Sequence, residues 1–365
     1  MEHRKKKEDC CGCGACADVC EAGAIRMVMD REGFYYPKVD KSACVNCGRC
    51  RSVCPIENAG CTEENSNLYL GVQARDETVR RHSSSGGVFS MLAQYVLARR
   101  GVVYGAGYDG DMNVVHKEVS SLSQLEQIKR TKYVQSDMDG IYRSVERHLQ
   151  EEGWVLFVGT PCQAHALKLF LGISYEKLIV ADLVCYGVPS PGVWRDYMKL
   201  LERKHKGRVT AFSFRDKRNR DNGHTRSYVA NGKEYADSMY QDLFCRLYFS
   251  DWMLRPSCHH CNFCTADRDS DFTIGDFFGL GRVRPDREDG LGTSMVIVRT
   301  ETAKRIWEEV KDDAVWFACT KEELLQPRLL EPVKKPKGRR LFMLARNVLP
   351  LSFFRYVLDI RRKLK

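Results

Sequence analysis

Cysteine placement constrains this chain more than any other feature of its sequence. Cys10, Cys13, Cys16 and Cys20 stand as C-x2-C-x2-C-x3-C, and Cys44, Cys47, Cys50 and Cys54 repeat the pattern, with Pro55 following. Each thiol lies 34 residues from its counterpart, so the segment is an internal duplication. The chain holds 17 cysteines, an odd number, and its charged opening stretch "MEHRKKKEDC" has no apolar segment of the secretory kind behind it. That combination argues for metal or redox chemistry in a reducing cytoplasm and against a disulfide framework.

The spacing is that of paired [4Fe–4S] clusters in two-cluster ferredoxins, where the fourth cysteine of each run crosses to the other cluster. It assigns Cys10, Cys13, Cys16 and Cys54 to one cluster, and Cys44, Cys47, Cys50 and Cys20 to the second. Three closely spaced thiolates wrap three corners of a cube, and a short helix carries the fourth away. Gly12, Gly14 and Gly48 let backbone amides approach the inorganic sulfides, one of the levers on reduction potential. Paired zinc sites are the alternative, but zinc takes two C-x2-C pairs across a longer loop. Three features depart from the pattern or stand outside it. Glu21 replaces the usual proline, Cys11 is a spare thiol beside Cys10, and Cys61 has no evident partner.

The body of the chain reads as alternating strands and helices. "LYLGVQARD" is a strand, and Val88, Met91, Leu92, Tyr95 and Val96 follow helical spacing behind Ser83–Ser85, Gly86 and Gly87. With Arg80, Arg81 and His82 just upstream, that helix start is either an anion cradle or an ordinary serine cap. "GAGYDG" at 105–110 matches G-x-G-x-x-G but precedes the strand-like "DMNVVHKEV", so it reads as a hairpin and not as a dinucleotide fingerprint. Helices are expected over 123–129 and 140–150.

Two apolar strands then each deliver a cysteine at their carboxyl end. "WVLFV" runs into Gly159-Thr160-Pro161-Cys162, and "KLIVADLV" runs into Cys185. Open α/β sheets bind ligands at that end, and a helix N-terminus lowers the pKa of a thiol placed there. Cys258, Cys261 and Cys264 form a further C-x2-C-x2-C with no cysteine at the next ferredoxin position. Cys162 and Cys185 could complete that site. A zinc site using His259 or His260 is its rival, and a redox-active dithiol ranks below both. His165, three residues after Cys162, could pair with it or simply pack on its helix.

In their order, "SSSGGVFSMLAQYVL", "VGTPCQAHALK", "LVCYGVPSP", "FSFRDK", "RPSCHHC" and "SDFTIGDFFGL" resemble the family of coenzyme F420 hydrogenase/dehydrogenase beta subunits, with a fused two-cluster ferredoxin domain. The resemblance implies an α/β (α+β) body of that beta-subunit type, non-covalent FAD and a third [4Fe–4S] cluster. Carried over by position, Ser85, Gly86 and Gly87 would lie against the flavin nucleotide. Cys162, Cys185, Cys258 and Cys261 would hold the third cluster, with Cys264 as a further candidate. Arg215 and Lys217 of "FRDK" would contact cofactor or substrate phosphates, and Asp276 would line the flavin site or organise its turn. The implied organisation is a ferredoxin domain over 1–62, a flavin-binding region over 68–150, a C-terminal domain over 151–330, and a tail over 334–365.

The implied role is an iron–sulfur flavoprotein oxidoreductase. Single electrons would pass through the clusters and be paired on the flavin, which would exchange a hydride with a deazaflavin or another organic substrate. The alternative is a non-catalytic electron-transfer subunit of a larger complex. No residue in the chain is singled out as catalytic by itself. The expected partner is a redox protein or a small-molecule donor or acceptor, not nucleic acid. Net charge is +10, but residues 334–365 carry eleven basic and one acidic side chain, so the remainder, with 47 of each sign, is neutral. The tail has apolar positions on one helical face (Leu341, Leu344, Ala345, Val348, Leu349) and another beyond Pro350 (Phe353, Val357, Ile360, Leu364). It is expected either to pack on the body or to lie on the inner face of an anionic membrane.

Overall fold

The computed structural model describes residues 6–60 and 67–363; Cys61 and most of the polar link "EENSN" lie outside the described residues. The sequence duplication is also a duplication in space. Two four-residue helices, Ala15–Asp18 and Arg49–Ser52, open on left-handed glycines, Gly14 (φ 82°) and Gly48 (φ 79°). Gly12 (φ 70°) has its counterpart in Asn46 (φ 55°). Asparagine is one of the few side chains that tolerates this region, which is how the second run manages the turn without a glycine. An antiparallel hairpin, β1 (Ile25–Met29) with β2 (Tyr35–Val39), joins the two halves.

The body then contributes β3 (Leu68–Ala74), β4 (Val102–Tyr108), β5 (Val114–Val119), β6 (Val155–Gly159), β7 (Leu178–Leu183), β8 (Val209–Asp216), β9 (Thr225–Ala230), β10 (Lys233–Ser238), β11 (Phe272–Asp276), β12 (Ser294–Val298) and β13 (Ala314–Ala318). Eight of these form one mixed sheet in the order β13-β3-β12-β11-β7-β6-β4-β5. Its centre, β11-β7-β6-β4, is parallel, and antiparallel strands close both sides. Central parallel strands are covered on both faces, which is why β6 reads as an unbroken apolar run. Leu156 and Val158 face the helix Val88–Ala98, while Val155 and Phe157 face the helices Ile141–Gln150 and Pro161–Leu171. Residue 150 marks no break in this sheet, because strands from both sides of it interleave.

The ferredoxin module docks on the second of these faces. Cys13, Ala15, Val19 and Val53 share an apolar cluster with Tyr142, Phe157, Ala164 and Leu167. The three remaining strands form a separate antiparallel sheet, β10-β9-β8, packed against the helices Pro191–His205 and Leu243–Phe249. Trp194 sits at its centre, ringed by Phe212, Phe214 and Phe244 at 5.1–5.4 Å between ring centroids.

The segment "GAGYDG" is a hairpin: Gly105 and Gly107 lie within β4, and Asp109 accepts from the amides of Asp111 and Asn113 to make the turn into β5. The helix expected over 123–129 shrinks to one turn, Leu122–Leu125, before the chain turns through Arg130 at φ 66°. The tail forms helices Arg339–Ala345 and Phe353–Lys363. They anchor through Phe342, Met343, Leu351, Phe354 and Leu358. The face expected to pack, with Leu341, Leu344, Val348, Phe353 and Ile360, is instead exposed. Among the described residues no helix is long and apolar enough to cross a membrane.

Candidate metal centres and cofactor cavity

Burial divides the eight ferredoxin cysteines along the line drawn by the crossed pattern. Cys10, Cys13, Cys16 and Cys54 are each at most 8% exposed. Cys20, Cys44 and Cys50 are half-buried and Cys47 is exposed. One set thus lies inside, against the body, and the other faces outward. Beside the inner set lies Arg255, fully buried, donating to the carbonyls of Cys10 (2.8 Å) and Tyr35 (2.9 Å) and to Gln135 Oε1 (2.9 Å). Its guanidinium also lies 3.7 Å from Cys10 Sγ and 4.2 Å from the centroid of the Tyr36 ring. Burial opposes its charge, but the Cys10 thiol and Tyr36 outweigh this and hold its pKa up. A buried cation beside a negatively charged cluster is what an iron–sulfur site requires for charge balance.

The five cysteines of the body converge. β6 ends just before Thr160, whose side chain and that of Gln163 form a reciprocal cap, so Cys162 enters the first turn of the helix Pro161–Leu171. Cys185 lies two residues beyond β7. The Val188 amide reaches Cys258 Sγ at 3.4 Å, and the Phe263 amide reaches Cys261 Sγ at 3.4 Å. Cys261 contacts Cys264 and sits within electrostatic reach of Cys162, Cys185 and Cys258. Mutual crowding and burial raise most of these thiols: burial pushes Cys185 up to about 11, and a hydrogen bond with Cys11, followed by burial, pushes Cys162 up. This overrides the lowering expected at a helix N-terminus. Cys162 is therefore no activated nucleophile. Thiols this crowded carry thiolate charge only when a cation shares them, so the donor set fits an iron–sulfur group.

Among the described residues no three of His, Cys, Asp and Glu stand close enough to hold a single metal ion. That concerns a mononuclear site; a cubane spreads its thiolates over four corners. His259 places Nδ1 2.9 Å from the Val333 carbonyl, so that nitrogen is the donor. His165 faces away from Cys162, with Nδ1 2.8 Å from Asp269 and Nε2 3.0 Å from the Asn58 carbonyl. It ties the body to the end of the ferredoxin module. Burial opposes its protonation, but Asp269 prevails and raises its pKa.

A cavity of about 350 Å³ opens at the carboxyl ends of β4, β6, β7 and β11, a size and position usual for a small-molecule site. Cys11, Cys162 and Cys185 lie on its wall, together with Tyr133, Tyr186, Tyr248 and Phe249 and the cations Arg130, Lys132, Arg215 and Arg328. Asp276 is its acidic member, and it is already paired with Arg215 at 2.6 Å. Burial, with Arg130 and Lys117 nearby, pushes Lys132 down to about 7. An anion in the cavity would reverse that. Behind the wall a neutral network runs from Gln163 through Ser136 to His116, which donates to the Val158 carbonyl. Burial lowers His116 to about 4.

Of the residues assigned to the flavin, Ser85, Gly87, Arg215 and Asp276 line this cavity, while Gly86 and Lys217 stand behind it. A Cβ on Gly86 would come within 2.1 Å of the Val72 carbonyl, so only glycine lets the loop lie against β3 and β12. Lys217 spends its ammonium on the carbonyls of Arg80, Ser85 and Leu291, fixing the Ser85 loop from below. Arg80, expected near an anion, is buried and forked onto Asp289 at 2.7 Å. Cys11, Arg255, Gln135 and Lys132 were not selected by sequence reasoning. Arg255 alone had a signal, standing directly before the "PSC" of the third cysteine motif.

Residues 9–58 match the family model described as a 4Fe-4S dicluster domain. Residues 153–322 match the model for the C terminus of the coenzyme F420 hydrogenase/dehydrogenase beta subunit. The chain thus carries a beta-subunit domain of that family behind a 4Fe-4S dicluster domain. A curated relative, the F subunit of the F(420)H(2) dehydrogenase of Methanosarcina mazei, is 24% identical over 186 residues. The match takes in 48% of this chain and 53% of the relative, so the chain spans about half the length of the curated relative it matches. A chain of the F420-reducing [NiFe] hydrogenase complex from Methanosarcina barkeri aligns over 78% of this chain and 89% of its own length, at 16% identity and a TM-score of 0.45. The beta-subunit model begins two residues before β6 and ends beyond β13, so it takes in all five body thiols.

Proposed function

We propose that this beta-subunit-type chain is an iron–sulfur flavoprotein oxidoreductase, in which a third [4Fe–4S] cluster held by the body thiols adjoins a flavin in the cavity. The observation that carries the reading is the shared wall: Cys162 and Cys185 belong both to the convergent thiol group and to the lining of the cavity. A bound FAD would supply the exchange between single electrons and electron pairs. The chain's own residues bind and orient it. Tyr133 and Tyr248, stacked at 4.9 Å, give an aromatic wall, and Arg130, Lys132, Arg215 and Arg328 favour an anionic cofactor or substrate. A substrate of the deazaflavin type, the class to which the F420 in the relative's name belongs, matches that charge. The alternative is an electron-transfer subunit whose chemistry occurs in a partner protein.

Anaerobic reconstitution followed by iron and acid-labile sulfide analysis tests the reading. Three clusters give ~12 iron per chain, and Cys162→Ala or Cys258→Ala lowers this to ~8 while the ferredoxin pair remains. An intact chain that stops at ~8 iron loses the third cluster and with it the relay. Flavin bound at one per chain, and bleached by a reduced small molecule without a second protein, selects the enzyme over the electron-transfer subunit.

The exposed tail favours a second contact. Leu341, Leu344, Val348 and Tyr356 are each at least 61% exposed, among many basic residues, while the opposite face is anchored in the core. Binding to an anionic membrane surface through this face is the reading that both signs of amphipathicity support. Leu344→Glu with Val348→Glu leaves the anchoring face untouched. It is expected to abolish co-sedimentation with anionic vesicles, and unchanged co-sedimentation removes the membrane from the proposal.

A further inference from the structure

Cys11 belongs to neither ferredoxin quartet, yet its position is the most constrained of any thiol in the chain. The loop 10–13 carrying it is clamped to the body from three sides. Arg255 holds the Cys10 carbonyl at 2.8 Å, Gln135 the Cys11 carbonyl at 2.9 Å, and the Tyr142 hydroxyl the Cys13 carbonyl at 3.0 Å. Arg255 and Tyr142 are fully buried. Gly12 makes the clamp possible: it sits at φ 70°, and a Cβ there would meet the Arg255 guanidinium at 2.5 Å. With Cys10 and Cys13 turned into the inner ferredoxin site, Cys11 is turned to the opposite side. Its thiol contacts Cys13 on one hand and Cys162 on the other, and it lies on the cavity wall beside Cys162.

We propose that Cys11 is the sulfur contact that couples the inner ferredoxin cluster to the third centre, without being a ligand of either. This rests on the third-cluster reading of the body thiols. The geometry has a direct consequence for electron flow. One electron lost by the cluster on Cys10, Cys13, Cys16 and Cys54 is gained by the centre on Cys162 and its neighbours. Along that route, Cys13 Sγ, Cys11 Sγ and Cys162 Sγ give a continuous sulfur contact across the module interface. The outer cluster, with exposed Cys47, is the entry for external electrons.

The test uses the full, reconstituted chain and its Cys11→Ala and Cys11→Ser variants. Iron content is measured first. It is expected to stay at the intact value of ~12 in both, since all proposed ligands remain. Dithionite reduction is then followed by rapid-freeze electron paramagnetic resonance. In the intact chain the three centres reduce together and show exchange-type spectral interaction. In Cys11→Ala the ferredoxin pair reduces at its usual rate, the third centre lags several-fold, and the interaction weakens; Cys11→Ser restores part of it. Loss of iron to ~8 in Cys11→Ala alone makes Cys11 a ligand and overturns the proposal. Unchanged kinetics and spectra overturn it as well. An intact chain at ~8 iron fails at the earlier step, through the third-cluster reading itself.

Discussion

Replacing Asp182 with alanine is expected to destabilise the body by roughly 3–5 kcal/mol, the usual consequence of stranding a buried charge. Asp182 is 1% exposed near the end of β7 and pairs with Arg268 at 2.7 Å. It also accepts from the hydroxyls of Ser270 (2.7 Å) and Thr273 (2.6 Å), and Arg299 closes the network through both of those side chains. Two buried guanidiniums thus share one carboxylate. Its removal leaves both uncompensated in a medium that solvates them poorly. The damage reaches the thiols, because Arg268 follows Cys264 by four residues and Asp182 precedes Cys185 by three. Thermal unfolding of Asp182→Ala should show a lowered midpoint, with body iron lost before ferredoxin iron. Asp182→Asn keeps the hydrogen-bond acceptor and should lose less. A melting curve equal to that of the intact chain would show that the carboxylate does not hold this network.

The second large effect is expected at Arg255. Arg255→Met preserves bulk but orphans the carbonyls of Cys10 and Tyr35 and the Gln135 side chain, each worth about 1–3 kcal/mol when left unpaired. The sum is enough to loosen the ferredoxin module from the body, so protease sensitivity between the module and β3 should rise. The inner cluster also loses a neighbouring positive charge, which disfavours adding an electron. Its midpoint potential is expected to fall, read by a redox titration under electron paramagnetic resonance. Arg255→Lys keeps the charge and should spare most of the potential while losing the three-way clamp. Unaltered protease resistance and potential in Arg255→Met would mean that apolar packing alone seats the module.

Much of this architecture is legible in the chain itself. The duplication at 34 residues predicts paired clusters, and the structure repeats the helix starts at Gly14 and Gly48. Unbroken apolar runs mark β6 and β7 as buried parallel strands, because a strand covered on both faces has no reason to alternate. The hairpin at "GAGYDG" is legible because β-period alternation follows it where a helix would have been required. Residue roles are less so. Lys217 and Arg80 look like anion contacts in sequence, since a basic residue near glycines and serines carries no mark of what its charge will face. In the fold one is spent on three carbonyls and the other on Asp289. The tail's apolar positions are visible, but which face is buried depends on the shape of the surface it meets.

By itself, then, the sequence determined the chemistry available: how many thiols, in what local spacing, and at which strand ends. Local spacing fixes a ferredoxin site because its ligands lie within eleven residues of chain or in the repeated run. Only tertiary structure decided which thiols meet across long separations. Cys11 and Cys162 are 151 residues apart, and no periodicity links them. They touch because Arg255, Gln135 and Tyr142 take up the backbone hydrogen-bond acceptors of one loop. Burial of those groups leaves the loop a single well-satisfied orientation.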